Sequence, residues 1–181
     1  MPAGRDVGPR SLYMPALYVI RHALPEVTGV ITGQSDPPLS SVGREKAAAL
    51  YVPVDVIYSS PLRRARETAK YLNPWPIILD DLAEISYGAW DGLSWREIEM
   101  RWPEIAAAKI ENWMRVTPPG GENWEQFSGR VLRCLNEIVR GRLPAAIIAH
   151  EAVNAVIANE LTGSSVNKYK QDYCEIKKYD L

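Results

Sequence analysis

Apolar residues in this chain fall into short unbroken runs, separated by stretches in which they recur at helical spacing. Residues 17–20, 54–58, 77–79 and 145–149, with a last segment around 174–179, each read as a strand. Runs apolar at consecutive positions suit strands buried on both faces. Between them, Ser40 and Ser41 can cap a helix from about Val42 through Leu50. Ser60 precedes Pro61, a favourable helix start, and Leu62, Ala65, Ala69 and Leu72 then recur at helical spacing. Residues 94–115 read as short helices interrupted at Pro103. The break Pro118-Pro119-Gly120-Gly121 precedes a long amphipathic helix with Trp124, Phe127, Val131, Leu135 and Ile138 on one side. A final helix covers 152–161. This alternation predicts an α/β fold: a three-layer α/β/α sandwich around one central, mainly parallel sheet.

Composition narrows the function classes. The chain has 181 residues, 46% hydrophobic and 24% charged, as an ordinary globular protein does. Residues 15–181 suit one domain with a sizeable core. With 21 basic and 22 acidic side chains the net charge is −1, so no global field recruits nucleic acid or an anionic membrane. No apolar run is long enough to span a bilayer. Residues 1–14 lack a secretory core and are expected to be a disordered leader, with Met14 a candidate alternative start. Cys134 and Cys174 read as ordinary thiols, and the expected location is the cytoplasm.

Candidate chemistry begins with the histidines, of which there are 2. His22 follows the first strand, with Arg21 between. His150 follows the strand at 145–149. In open α/β sheets ligands bind beyond the carboxyl ends of strands, and imidazole is a nucleophile and proton carrier near neutral pH. A second segment, Ser59-Ser60-Pro61-Leu62-Arg63-Arg64-Ala65-Arg66-Glu67-Thr68, puts three arginines in the first turns of a helix. A bound anion there would use the guanidinium groups and the free N–H groups of the helix end. The plainer alternative is a solvated face, with Glu67 pairing Arg63. A third segment holds Glu84 ahead of Tyr87-Gly88, either a general acid or a glutamate in a turn.

Taken together, Arg21-His22, Ser59 to Ala65, Glu84 ahead of Tyr87-Gly88, and Ala149-His150 resemble the histidine phosphatase superfamily, the phosphoglycerate mutase-like proteins. The resemblance runs from Leu17 to Leu181 and includes Thr32-Gly33-Gln34-Ser35-Asp36-Pro37-Pro38-Leu39-Ser40 and Pro118 to Trp124. It implies that His22 attacks phosphorus and becomes a phosphohistidine. It implies that Arg21, Arg64 and His150 hold the phosphoryl oxygens and that Glu84 carries the proton. Thr28, Thr32 and Gly33 are added as phosphate-binding positions. Neither metal nor cofactor is implied. The chain departs from the family at Ala23 and Glu151, where the family usually has glycine after each histidine, and in the loop at Leu24, Pro25 and Thr28, where it usually has glutamate, threonine and asparagine. Ala23 is expected to change little. Glu151 either faces the pocket and repels a dianion or serves the following helix end, and the second is expected.

The implied activity is metal-independent hydrolysis of a small phosphorylated metabolite. Residues Tyr87 to Trp95 and the Pro-Pro-Gly-Gly break are most similar to the alpha-ribazole phosphatase and broad phosphatase branch. A short cover is expected at about 91–120, where Trp90, Trp95, Trp102 and Trp113 are read as packing. The alternatives are a phosphoglycerate mutase and a non-catalytic phospho-ligand module of the same fold. The resemblance leaves the oligomer open, a dimer included.

Overall fold

The computed structural model describes residues 15–181. The leader expected at 1–14 lies outside the described residues. The first strand, β1 (Ala16–Arg21), is followed by α1 (Ser41–Ala48), β2 (Val56–Ser59), α2 (Arg63–Leu72) and β3 (Ile77–Ile78). Then come α3 (Trp95–Arg101), α4 (Pro103–Glu111), α5 (Trp124–Arg140), β4 (Ala145–Ala149), α6 (Glu151–Thr162) and β5 (Ile176–Asp180). The strands form one sheet in the order β3-β2-β4-β1-β5. β1, β2, β3 and β4 run parallel, and β5 joins β1 antiparallel.

The two faces of the sheet explain the unbroken apolar runs. On one face Leu17, Val19, Ala145, Ile147 and Ala149 pack with Phe127, Val131, Leu135 and Ile138 of α5 and with Val153, Val156 and Ile157 of α6. On the other, Ile20, Ile57, Ala146 and Ile148 meet Ala65 and Ala69 of α2. Alternate residues of each central strand are thus buried in different layers, so neither face has a polar position to give. All five residues of β4 are buried.

Local boundaries follow side-chain caps. Ser40 caps α1 by accepting from the Gly43 N–H at 2.9 Å. The helix stops at Ala48, short of the expected Leu50. Ser94 and Glu97 form a reciprocal capping box on α3, and Pro103 opens α4. Ser60 does not cap α2, contrary to expectation. The helix begins at Arg63 with Leu62 as its N-cap; the Ser60 hydroxyl, ahead of the helix, takes the Leu62 N–H and also meets His150 across the sheet end.

Parallel strands ending in register set the site. Arg21 pairs with Ala149, and the N–H of His22 donates to the Ala149 carbonyl at 2.9 Å. The N–H of Ser60 donates to the Ile148 carbonyl at 3.0 Å. The carboxyl ends of β1, β4 and β2 therefore deliver His22, His150 and Ser60 to one edge, although they are far apart in sequence.

Candidate active site

His22 is buried, with its Nδ1 2.8 Å from its neighbour's carbonyl, Ala23 O. An acceptor there fixes the tautomer: Nδ1 carries the proton and Nε2 keeps its lone pair. Burial, and then the Arg64 charge, lower the His22 pKa to about 3. The ring is therefore neutral, as a nucleophile must be. The Ala23 methyl turns away into a small core with Leu39 and Ala47, so the substitution for glycine leaves the space at Nε2 unchanged.

His150 is fully buried, its ring centre 5.0 Å from that of His22. The Ser60 hydroxyl lies 2.7 Å from its Nε2 and also accepts from the Leu62 N–H at 3.2 Å. The hydroxyl has one hydrogen to give and a second lone pair besides the one that takes the Leu62 N–H; donation of that hydrogen to Nε2 corresponds to the His150 tautomer with its proton on Nδ1. That Nδ1 is buried with no partner among the described residues. Burial, then the charges of neighbouring groups, hold the His150 pKa well below its ordinary value.

Arg64 lies beside the nucleophile. Its Nε donates to His22 Nε2 at 3.3 Å, and its other nitrogens donate to the carbonyls of Ser35 at 2.7 Å and Gly33 at 2.9 Å. That loop is itself fixed by Asp91, whose carboxylate accepts from the N–H groups of Gly33, Gln34 and Ser35 and from the Ser35 hydroxyl at 2.6 to 3.1 Å. Arg63, in contrast, points outward and pairs with Glu67 at 2.6 Å, the solvated alternative. The N-terminus of α2 is not an open anion site: the Arg63 N–H already donates to Asp36.

Arg21 is anchored at one corner. Its NH1 donates to the Gln171 carbonyl at 2.7 Å and meets Glu151 at 2.7 Å, and its guanidinium lies over the Tyr173 ring at 4.2 Å. Its Nε is buried and has no partner among the described residues. Gln171 is held by Asn154 and Tyr169, each at 2.8 Å. Asn154, Gln171 and Tyr173 were not visible as site residues, because no local pattern ties them to an arginine some 150 positions earlier.

Glu84 is nearly buried, accepting from the N–H groups of Ile85 at 2.9 Å and Ala152 at 3.4 Å. Burial raises its pKa against the opposing pull of these bonds and of Arg64. Its backbone is gripped by Arg130, which donates to the carbonyls of Asp81, Ala83 and Glu84 while pairing with Glu122 at 2.8 Å. The Tyr87-Gly88 turn rests on the Pro-Pro-Gly-Gly break. Gly88, at φ +54°, lies so close to it that a Cβ would stand 2.3 Å from the Pro119 oxygen.

A cavity of about 820 Å³ opens over this set, lined by Arg21, His22, Thr32, Arg64, Glu84 and Glu151. Residues Ile110 to Met114, at the end of α4 and just after it, form one wall, and Tyr169, Lys170 and Tyr173 contribute to another. Three expectations need correction. Thr28 is exposed and does not line the cavity, because the loop carries it outward. Gly33 lies behind Arg64, and its carbonyl serves that guanidinium rather than the open space. Glu151 does not turn away to the helix end. The nearby Arg21 cation is its partner, and the N–H of Ala152, in the first turn of α6, is directed at Glu84.

The family model of the histidine phosphatase superfamily (branch 1) matches residues 17–181. The chain belongs to this superfamily. Relatives in Mycobacterium tuberculosis and Mycobacterium bovis are 32% identical over 152 residues, and the chain spans 42% of their length. Phosphoserine phosphatase 1 of Hydrogenobacter thermophilus is 29% identical, over 93% of this chain and 86% of the relative. An adenosylcobalamin/alpha-ribazole phosphatase of Escherichia coli is 26% identical, over 81% and 79%. Among solved structures, the alpha-ribazole phosphatase from Shigella flexneri superposes with a TM-score of 0.79 at 24% identity, over 90% of this chain and 89% of that one. The superfamily fold accounts for the parallel sheet with helices on both faces. Among the described residues, no helix is long and apolar enough to cross a membrane.

Proposed function

We propose that this histidine phosphatase family member is a phosphomonoesterase acting through a phosphohistidine at His22. One observation carries the reading: Arg21 Nε and His150 Nδ1 are buried and have no partner among the described residues, flanking a neutral imidazole whose Nε2 is free of a proton. Unpartnered buried donors are costly unless a ligand satisfies them, and a phosphoryl group supplies the acceptors.

In the first step His22 Nε2 forms a bond to phosphorus as the ester P–O bond breaks. Arg21, Arg64 and His150 donate to the phosphoryl oxygens and stabilise their charge. Glu84, whose pKa burial raises, gives its proton to the departing oxygen. In the second step water attacks the phosphohistidine, Glu84 takes the water's proton, and phosphate leaves with His22 restored. The positive charge comes from arginine side chains, so the steps require no divalent ion.

The substrate is a small phosphorylated metabolite. Alpha-ribazole 5′-phosphate is the first candidate, since Tyr87, Trp113, Trp124 and Tyr173 line the cavity and can receive a flat ring. Release of phosphate from an aryl phosphate in the presence of a chelator tests the activity, with phosphoserine and alpha-ribazole 5′-phosphate compared next. His22→Ala is expected to remove turnover and the acid-labile phosphoenzyme together. Activity restored only by a divalent ion, or a phosphoenzyme surviving in His22→Ala, overturns the reading.

A further inference from the structure

The phosphate site contains a carboxylate for which the proposed steps have no use. Glu151 Oε2 lies 2.7 Å from Arg21 NH1, and the side chain is partly exposed and lines the cavity. It has two consequences for Arg21. First, with the Gln171 carbonyl it occupies NH1, so the guanidinium is held by one corner and the unpartnered Nε is left for a phosphoryl oxygen. Second, it offsets one of the two cations beside His22. Arg21, Arg64 and Glu151 together sum to a net charge of +1, before the Glu84 carboxyl of the same cavity is counted.

Charges further out do not restore the balance. Beyond the groups around His22, the charged side chains lining the cavity are Glu111 and Lys170, which offset one another. An anionic group on the leaving portion of a substrate would therefore meet the Glu151 carboxylate with no surplus of cations.

We propose that Glu151 is a specificity-determining residue: it positions Arg21 while discriminating against phosphate esters that carry a second anionic group near the scissile phosphate. This inference rests on the phosphatase reading. Its substrate class is esters whose leaving group is uncharged or cationic close to the ester oxygen, such as sugar, nucleoside or amino-alcohol phosphates.

A matched pair of substrates isolates the effect. Glycerol 3-phosphate and 3-phosphoglycerate share a three-carbon frame and differ in a hydroxymethyl against a carboxylate. The native chain is expected to favour glycerol 3-phosphate in kcat/KM. Glu151→Gln removes the charge and keeps an oxygen for Arg21. It should narrow that preference about tenfold or more through the KM for 3-phosphoglycerate, the screened effect of one charge pair roughly 6 Å apart. Glu151→Gly should narrow the preference as well, and should also lower kcat on both esters because Arg21 loses its anchor. An unchanged ratio in both variants overturns the proposal while leaving the phosphatase intact. If the native chain releases phosphate from neither ester nor from an aryl phosphate, the phosphatase reading fails. Calorimetric binding of the two esters to His22→Ala and to His22→Ala/Glu151→Gln then decides the selectivity without turnover. Equal binding ratios in the two forms, or no binding in either, overturn it.

Discussion

The hydroxyl of Ser60 lies 2.7 Å from Nε2 of His150, and its donation there would hold the proton of His150 on Nδ1. Ser60→Ala removes the donor. The buried Nε2 is then left unsatisfied, at a cost of about 1–3 kcal/mol, or the proton moves to it and Nδ1 loses its hydrogen. Either way the phosphoryl group loses a donor, and kcat/KM is expected to fall roughly tenfold, the worth of about 1.4 kcal/mol. Nitrogen NMR of His150 should show the tautomer shift. Unchanged kinetics together with a shifted tautomer would exclude His150 Nδ1 as a phosphate donor.

Glu84→Gln separates substrates by leaving group. An alkyl phosphate needs its departing oxygen protonated, and an activated aryl phosphate does not. Hydrolysis of the alkyl ester is expected to slow by about 10²–10⁴-fold, with a far smaller loss on the aryl ester. Because burial raises the Glu84 pKa, the alkaline limb of the pH–rate profile in the native enzyme belongs to this group and should disappear in the variant. Equal losses on both esters would remove Glu84 from the proton-transfer role.

Asp91 acts at a distance through the 33–35 loop. Asp91→Ala frees three backbone N–H groups and the Ser35 hydroxyl, and with them the carbonyls that hold Arg64. Displacement of the guanidinium by about 1 Å is expected to lower kcat by up to roughly 10²-fold. Asp91→Asn, which keeps an acceptor, should recover part of this. A loss of melting temperature with normal kcat would show that the loop serves stability alone.

Stability should depend on pH through the two histidines. Both have folded-state pKa values below their unfolded ones, with His22 lowered to about 3. Their contribution is complete above about pH 6.5 and is lost as pH falls below it, because the unfolded chain takes up protons that the folded chain refuses. For His22 the slope approaches a limit of about 1.4 kcal/mol per pH unit below about pH 5.5, and His150 adds in the same direction. Glu84 works in the opposite sense, since a raised carboxyl pKa favours the folded state as pH falls. Urea melts between pH 7 and pH 5 should show the decline, and His22→Ala should make it shallower. An equal slope in the variant would mean that His22 titrates normally in the fold.

Much of the site is readable from the chain because parallel strands concentrate it. The apolar runs ending at His22 and His150 are legible for the reason that they are buried on both faces, and register then brings their ends together. Arg64 and Glu84 follow from the resemblance, since their inward direction depends on a loop and a turn with no periodic signal. What is hidden is whatever depends on long-range partners. Ser60 reads as a helix cap, yet its hydroxyl is drawn to His150 across the sheet end. Glu151 reads as a helix-end carboxylate, yet Arg21 outcompetes the backbone N–H groups. Arg130 lies in an ordinary amphipathic pattern, and only the fold shows it gripping the chain around Glu84. Gln171 and Tyr173 follow a loop after α6 and reach Arg21 only because β5 turns back to lie against β1.

That last arrangement bears on when the protein becomes active during its synthesis. A nascent chain that has just delivered His150 already holds both histidines, Arg64 and Glu84. It holds neither β5 nor the Gln171 carbonyl that steadies Arg21. The outer edge of β1 is still bare at that moment, and the guanidinium beside the nucleophile has lost half its anchorage. The reactive groups thus precede their support along the chain, and a fragment cut after β4 would carry both histidines, Arg64 and Glu84 without the Gln171 carbonyl on Arg21.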